Sequence, residues 1–241
     1  MFYAHKGLST ASDAEPHNRV PAGRLNIRYQ RMFAGAFMYA GGLHIGIEWP
    51  QFKEMVNGKP VIADAEGRYQ SGSLFGWGLS HEIGHEINEG AYAVAEVTNN
   101  YYPLLAQARD TNDSLRFKYE DVFKKTTSGA RGKASDGAVQ LAMYWQLHLA
   151  YDMGGYNFKT FDTSKEQLEN LIFARMDSYV RKPSSAPGAE GNKLKLSGTD
   201  KDNVLMRLAA AAARKDLLDF FRHWGMEPDA DTVRYASQFE K

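Results

Sequence analysis

One short run, His-Glu-x-x-His at residues 81–85, constrains this chain more than any other feature. On a helix His81 and His85 are one turn apart on the same face, so both imidazoles can bind one ion. Glu82 would then lie beside that ion, next to a metal-bound water. Glu96, eleven residues after His85, is the expected third ligand, because catalytic zinc sites keep one position open for water. This pattern predicts a zinc hydrolase.

The residues around this run favour a metal site over an accidental pair of histidines on a solvated helix. Residues 72–79 begin as a glycine-rich, loop-like stretch and become apolar, as a buried active-site helix requires. Asn88-Glu89-Gly90 supplies a signal that ends the helix. Residues 91–100 are predicted to form a second short helix, which Pro103 would kink or end.

The predicted chemistry assigns a role to each polar side chain of the motif. Glu82 is expected to be the general base, which accepts the proton of the water and passes it to the leaving amine. Asn100, four residues after Glu96, is expected either to orient a ligand histidine or to cap the helix. Five side chains remain open as the additional oxyanion donor: Tyr101, Tyr102, Tyr144, Tyr151 and His148. Four histidines are expected to be ordinary surface or core residues: His5, His17, His44 and His223.

The composition excludes several classes of protein. The 241 residues, 43% of them hydrophobic, can bury a sizeable core in one domain or two joined subdomains. Lys+Arg and Asp+Glu number 29 each, so no basic surface predicts a nucleic-acid partner. Without cysteine, the metal site cannot use thiolates. No apolar run approaches the ~20 residues of a membrane span, and residues 1–25 do not read as a signal peptide.

Hydrophobic periodicity predicts strands before the motif. Leu25–Gln30 alternates with a period of two, which is typical of a strand. The glycine-rich stretch Gly41–Ile47 is expected to be a strand that another part of the chain approaches closely. It is either an edge strand that pairs with an extended substrate, as in zincins, or an ordinary internal strand with a bulge.

The second half of the chain is predicted to be helical. Helices are expected at residues 136–151, 164–179, 202–214 and 215–224. The predicted fold class is therefore α+β, in which a small mixed sheet carries the active-site helix and a mainly helical subdomain follows. Residues 1–110 would form the core with the motif helix and the Glu96 helix. Residues 111–241 would form the helical subdomain that completes the cleft.

Two runs, residues 76–88 and 95–102, resemble a known family. They are similar to the enhancin-like, mucin-targeting zinc metallopeptidases, whose pattern is His-Glu-x-x-His followed by Glu inside a Glu-Val-Thr-Asn-Asn segment. The resemblance is specific over residues 74–105 and weaker across most of the remaining chain. It implies a gluzincin fold and a catalytic domain with one zinc ion.

The resemblance also implies a substrate class and a setting. It implies an endopeptidase for O-glycosylated proteins such as mucins, secreted or on the surface of bacteria, with carbohydrate-binding modules beside the catalytic domain. Sugar contacts are expected from an aromatic face and an Arg/Asp pair, although packing is an equal alternative for the two tryptophans. The candidates are Trp77, Arg131, Asp136 and Trp145.

Other functions remain open at the level of sequence. The chain could be a non-catalytic glycan-binding module of the same fold, although the intact Glu82 and the complete ligand set argue against that. It could also be a general zinc endopeptidase without glycan dependence, or a zinc hydrolase of a non-peptide bond.

Overall fold

The computed structural model describes most of the chain and divides it into two compact units. The described residues are 2–33, 35–57, 62–63, 69–70, 77–109, 117–128, 137–152 and 171–241. Residues 21–88 and 94–121 form one unit, called here the sheet unit. Residues 1–20, 89–93 and 122–241 form the other, called the helical unit. The predicted boundary between residues 110 and 111 lies outside the described residues and stays a prediction.

The sheet unit is built on three short strands in the order β1-β3-β2. They are β1 (Asn26–Tyr29), β2 (Met38–Ala40) and β3 (His44–Ile47). β1 runs parallel to β3, and β2 runs antiparallel to it. The hypothesis that the stretch ending at Ile47 is a substrate-pairing edge strand is therefore wrong. Among the described residues the strand is internal, as the alternative predicts, although its register shows no bulge, and β1 and β2 lie at the two edges.

Close packing explains why the central strand carries a glycine. A Cβ at Gly46 would lie 2.1 Å from the ring of Tyr39, which covers the outer face of the sheet. On the inner face, Ile45 and Ile47 are buried with Met38. The apolar residues packed against that face are Leu25, Phe52, Met55, Leu79 and Ile83. Because Leu79 and Ile83 come from the motif segment, this small core positions the motif helix.

The remaining elements of the sheet unit follow in chain order. They are α2 (Gln51–Val56), the antiparallel pair β4 (Ile62–Ala63) and β5 (Tyr69–Gln70), α3 (Ser80–Ile87) and α4 (Tyr101–Arg109). α5 (Tyr119–Thr127) begins in this unit and ends in the helical unit.

The helix predicted over residues 91–100 is wrong. That segment consists of turns and a 3-10 helix at Thr98–Asn100, and α4 starts only at Tyr101. Glu96 has φ +64°, a left-handed conformation that a right-handed α-helix does not contain. Pro103 is the third residue of α4, where its missing N–H removes no intrahelical bond. It therefore neither kinks nor ends the helix.

The helical unit contains the long helices of the chain. Its elements are α1 (Phe2–His5), α6 (Gly137–Tyr151), α7 (Ile172–Arg181), α8 (Lys201–Ala213), α9 (Leu218–His223) and α10 (Ala230–Ala236). Helix α8 is capped by Asp200, which accepts a hydrogen bond from the backbone N–H of Asn203. The alanines 209–212 on α8 are buried, which allows close helix packing. The small sheet and the many helices confirm the predicted α+β class.

Residues 2–20 contribute to the core of the helical unit. Ala4, His5 and Lys6 are buried, and the ammonium of Lys6 lies 2.7 Å from a carboxylate oxygen of Asp177. The hydroxyl of Tyr92 donates to the other oxygen of Asp177 at 2.7 Å. Among the described residues, every helix is too short or too polar to cross a bilayer.

Candidate metal centre

Helix α3 brings the two motif histidines together as the sequence predicts. His81 and His85 are four residues apart on α3, and their Nε2 atoms are 3.2 Å from each other. Their rings meet edge to face with centroids 4.8 Å apart. Both Nε2 atoms therefore converge on one point beside the helix.

Glu96 completes this cluster. One oxygen of its carboxylate lies 3.3 Å from Nε2 of His81, and the other lies 3.1 Å from Nε2 of His85. A tetrahedral zinc ion with ligand bonds of about 2.0–2.1 Å separates its donor atoms by about 3.3–3.4 Å. The three side chains thus fit a zinc ion with little adjustment. The left-handed backbone at Glu96 turns this exposed side chain back towards α3.

Asn100 connects the first histidine to the segment that carries the third ligand. The Nδ1 of His81 donates to the side-chain oxygen of Asn100 at 2.6 Å. The amide of Asn100 in turn donates to the backbone oxygen of Glu96 at 2.6 Å. A proton held on Nδ1 leaves the Nε2 lone pair for a metal ion, which is how outer hydrogen bonds usually orient ligand histidines. These contacts favour the orienting alternative for Asn100 over helix capping, and the role stays a prediction.

Asn99 is a residue of the site that the sequence interpretation missed. Its side chain is fully buried, and its Nδ2 lies 3.1 Å from Nε2 of His81 and 3.0 Å from Nε2 of His85. The amide of Asn99 therefore lies beside the two Nε2 atoms whose lone pairs would bind an ion. The neighbouring asparagine pair in the sequence was a signal, but only Asn100 was assigned from it.

Glu82 lies on α3 next to the cluster, and it is buried. Burial raises the pKa of Glu82, and the carboxylates of Glu96 and Glu86 act in the same direction. His81 and the backbone N–H of Ala40, which bonds the carboxylate, oppose that rise. A raised pKa brings a carboxylate closer to the range in which it exchanges protons near neutral pH. Ala40 belongs to β2, and its contribution could not be found from sequence.

A glycine inside the motif lets the ligand-bearing segment approach α3. A Cβ at Gly84 would lie 2.5 Å from the backbone oxygen of Asn99 and 2.8 Å from its Cα. Real Cβ atoms do not approach backbone so closely, so only glycine fits here. Gly84 therefore sets how near Asn99, Asn100 and Glu96 come to the histidines.

The four candidates for sugar contacts are either buried or lie outside the described residues. Trp77 in the sheet unit and Trp145 in the helical unit are buried, with 6% and 8% of their surface exposed. This burial favours the packing alternative for both, and a sugar contact stays a prediction. Arg131 and Asp136 lie outside the described residues.

The candidate oxyanion donors fall into both units. Tyr101 and Tyr102 are buried at the start of α4 in the sheet unit. Tyr144, Tyr151 and His148 lie on α6 in the helical unit, where burial raises the pKa of Tyr144.

Comparison with known proteins identifies the family. The sequence model described as Peptidase M60, enhancin and enhancin-like matches residues 15–225. The chain belongs to this family. The resemblance carried by the two sequence runs is thereby confirmed, and the chain is an M60 peptidase domain.

Among curated proteins, the M60 domain is similar to accessory colonization factor AcfD of Vibrio cholerae serotype O1. The two are 29% identical over 168 residues, which is 63% of this chain and 11% of AcfD. The chain therefore spans about a tenth of the length of this relative.

Solved structures share the fold. The ZmpB metallopeptidase from Clostridium perfringens matches with a TM-score of 0.67 and 21% identity, over 99% of this chain and 41% of that one. A longer ZmpB structure contains the M60 catalytic domain with the CBM51-1 and CBM51-2 domains. It matches with a TM-score of 0.66 and 19% identity, over 99% of this chain and 22% of that one. A third structure is the M60 catalytic domain of C. perfringens ZmpC in complex with the sialyl T antigen. It matches with a TM-score of 0.61 and 21% identity, over 100% of this chain and 41% of that one. The predicted zincin-like catalytic fold is thus confirmed.

The packing at Gly84 gives a prediction about stability. The Gly84→Ala variant should be less stable than wild type by about 1–3 kcal/mol, because the added Cβ overlaps the backbone of Asn99. Gly90→Ala is the matched control, since a Cβ at Gly90 meets nothing within 4 Å. Denaturant unfolding of both variants measures the difference. Equal stabilities would contradict the close approach described here.

Proposed function

We propose that this M60 domain is a zinc endopeptidase that cleaves O-glycosylated, mucin-type proteins. The observation that carries the proposal is the geometry of His81, His85 and Glu96, whose donor atoms lie 3.1–3.3 Å from one another. The set of two imidazoles and one carboxylate suits zinc, and it leaves a fourth position for water.

The catalytic chemistry is divided between the ion and the chain. A zinc ion at this site would supply the Lewis acidity that makes a bound water acidic near neutral pH. Glu82 accepts the proton of that water and delivers it to the leaving amine of the cleaved peptide bond. Its raised pKa favours this exchange, since a carboxylate of ordinary pKa holds a proton weakly at neutral pH. Asn100 holds His81 in the tautomer that ligation needs.

The edge strand β2 is the proposed binding site for the substrate backbone. β2 ends the three-stranded sheet among the described residues, and the N–H of Ala40 bonds the carboxylate of Glu82. An extended peptide that adds to such an edge would place its backbone beside the general base. The substrate-pairing role that the sequence suggested for the strand ending at Ile47 thus moves to Met38–Ala40.

Glycan dependence is supported by two solved structures of the same fold. The ZmpC catalytic domain binds the sialyl T antigen in its solved complex, and the ZmpB domain occurs with CBM51 domains. We extend both properties to this domain, as part of a longer protein that acts outside the bacterial cell or on its surface. Arg131 and Asp136 remain the proposed sugar-binding residues.

A general zinc endopeptidase without glycan dependence is the second candidate. The observation that favours it is the burial of Trp77 and Trp145, because a buried ring offers no flat face to a sugar. The two candidates share the metal centre and differ only in how the substrate is chosen.

The first prediction for this function concerns the metal. The His85→Ala variant should contain one equivalent of zinc less than wild type and should lose peptidase activity, because only two ligands remain. Metal analysis by mass spectrometry and an activity assay measure both effects. His223→Ala, which removes an exposed histidine, is the control and should match wild type. Undiminished zinc in His85→Ala would contradict the assignment.

The second prediction concerns the general base. Glu82→Gln should keep its zinc and its stability but lose about 10²–10⁴-fold in kcat, since the amide cannot accept the proton. Glu86→Gln on the same helix is the matched control, because the carboxylate of Glu86 accepts a bond from the N–H of Leu43 and is neither a proposed metal ligand nor the proposed base. That variant should retain near-normal turnover. A Glu82→Gln enzyme with wild-type kcat would show that another group activates the water.

The third prediction separates the two candidate functions. A mucin peptide carrying an O-glycan on Ser or Thr should be cut, and the same peptide without the glycan should be cut up to about 10⁴-fold more slowly. The discrimination arises because polar groups that bind the sugar are left unpaired when it is missing. Cleavage products are identified by mass spectrometry. Equal rates on both peptides would favour the general endopeptidase.

A further inference from the structure

We propose that His5, His148 and Asp152 form a second zinc site, in the core of the helical unit and separate from the motif centre. One donor atom of each residue lies within 4.8 Å of the donors of the other two. All three residues belong to the helical unit. None of them was predicted from sequence to bind metal.

The three side chains come from segments far apart in the sequence. His5 ends α1, His148 lies in the last turn of α6, and Asp152 follows that helix directly. The rings of His5 and His148 have centroids 6.0 Å apart and are inclined by 51°. Nδ1 of His148 contacts one carboxylate oxygen of Asp152. The arrangement therefore gathers two imidazoles and a carboxylate, the same kinds of donor as the motif centre.

The cluster is held in place by its surroundings. The second oxygen of Asp152 accepts the backbone N–H of Ile172 at 2.7 Å, which ties it to the start of α7. Trp145 lies against the ring of His148, with centroids 4.5 Å apart and planes inclined by 31°. Such fixed neighbours orient ligand side chains before an ion arrives.

Burial and charge favour a cation at this position. His5 is 1% exposed and His148 7%, and the side chain of Asp152 is 7% exposed. A buried carboxylate needs a nearby positive charge, since an isolated one is costly in an apolar interior. The ammonium of Lys6, the residue next to His5, is already paired with Asp177 at 2.7 Å. A divalent ion shared with the two imidazoles would add positive charge next to the carboxylate of Asp152, which already contacts His148 and accepts the N–H of Ile172.

Zinc suits this donor set, and the site would act as a structural cross-link. Two imidazoles and a carboxylate suit zinc, whereas magnesium and calcium prefer oxygen ligands alone. α1 has only four residues, too few for a helix to be stable by itself. An ion bound to His5 and to the end of α6 would fasten this segment to the core.

The alternative is a metal-free ion pair between a protonated His148 and Asp152, with His5 packed beside it. The two arrangements differ in metal content, so a binding experiment separates them. The double variant His81→Ala/His85→Ala removes the motif centre and serves as the background. Any remaining stoichiometric zinc must then lie elsewhere in the chain.

The test measures zinc bound by the full chain after removal of metal with a chelator and addition of zinc. We expect one equivalent in the double variant and none once His148→Ala is added. Adding His223→Ala instead, which removes an exposed histidine, should leave that equivalent in place. A folded double variant that binds no zinc would overturn the proposal. So would a zinc equivalent that survives His148→Ala.

A second measurement keeps the test decisive if the His148→Ala variant does not fold. Co²⁺ added to the double variant should quench part of the tryptophan fluorescence and saturate at one equivalent, because Trp145 lies against His148. Trp145→Phe should reduce that quenching and leave Co²⁺ binding intact, while Trp224, whose indole N–H bonds Gln146 on the same helix, can account for a remainder. Quenching that is absent, or that is undiminished in Trp145→Phe, would place no ion at His148.

Discussion

The close approach of the segment before α4 to helix α3 is the contact on which the candidate metal centre depends. At Gly84 no side chain separates the helix from the backbone of Asn99. This contact brings Asn100 to His81 and turns Glu96 towards both histidines. The apolar packing of Leu79 and Ile83 on the sheet fixes the helix from the other side. The ligand geometry is therefore a result of backbone packing on two faces of one short helix.

The histidine pair could be predicted from sequence because its geometry is local. Any α-helix places residues 81 and 85 on one face, whatever the rest of the fold does. Glu96 was predicted from its spacing, but the conformation that delivers it was not. Helical periodicity suggested a helix over residues 91–100, whereas Glu96 adopts φ +64°. A left-handed glutamate costs free energy that only the surrounding contacts can offset, and a local pattern does not contain those contacts.

Features that depend on contacts between distant segments were harder to predict from the sequence. The strand ending at Ile47 was predicted from sequence, but its central position in the sheet was not. The sequence pattern of an edge strand and that of a central strand do not differ enough to decide between them. Asn99 and the N–H of Ala40 belong to the site only because β2 and the 3-10 helix pack against α3. The group around His5 and Asp152 has no motif, since its members are brought together by the fold alone.

Exposure distinguishes what the two histidine groups can do. Glu96 is 69% exposed and His85 27% exposed, so a water and a peptide can reach the point where their donor atoms converge. A group that must exchange water and substrate at every turnover needs such access. His5 and His148 are almost fully buried, and Asp152 is tied to the backbone of α7. Substrate has no comparable route to a buried donor set, so an ion held there would contribute to stability. In the two proposed sites, similar donors would therefore serve different purposes, because the His81 set is partly exposed and the His5 set is buried.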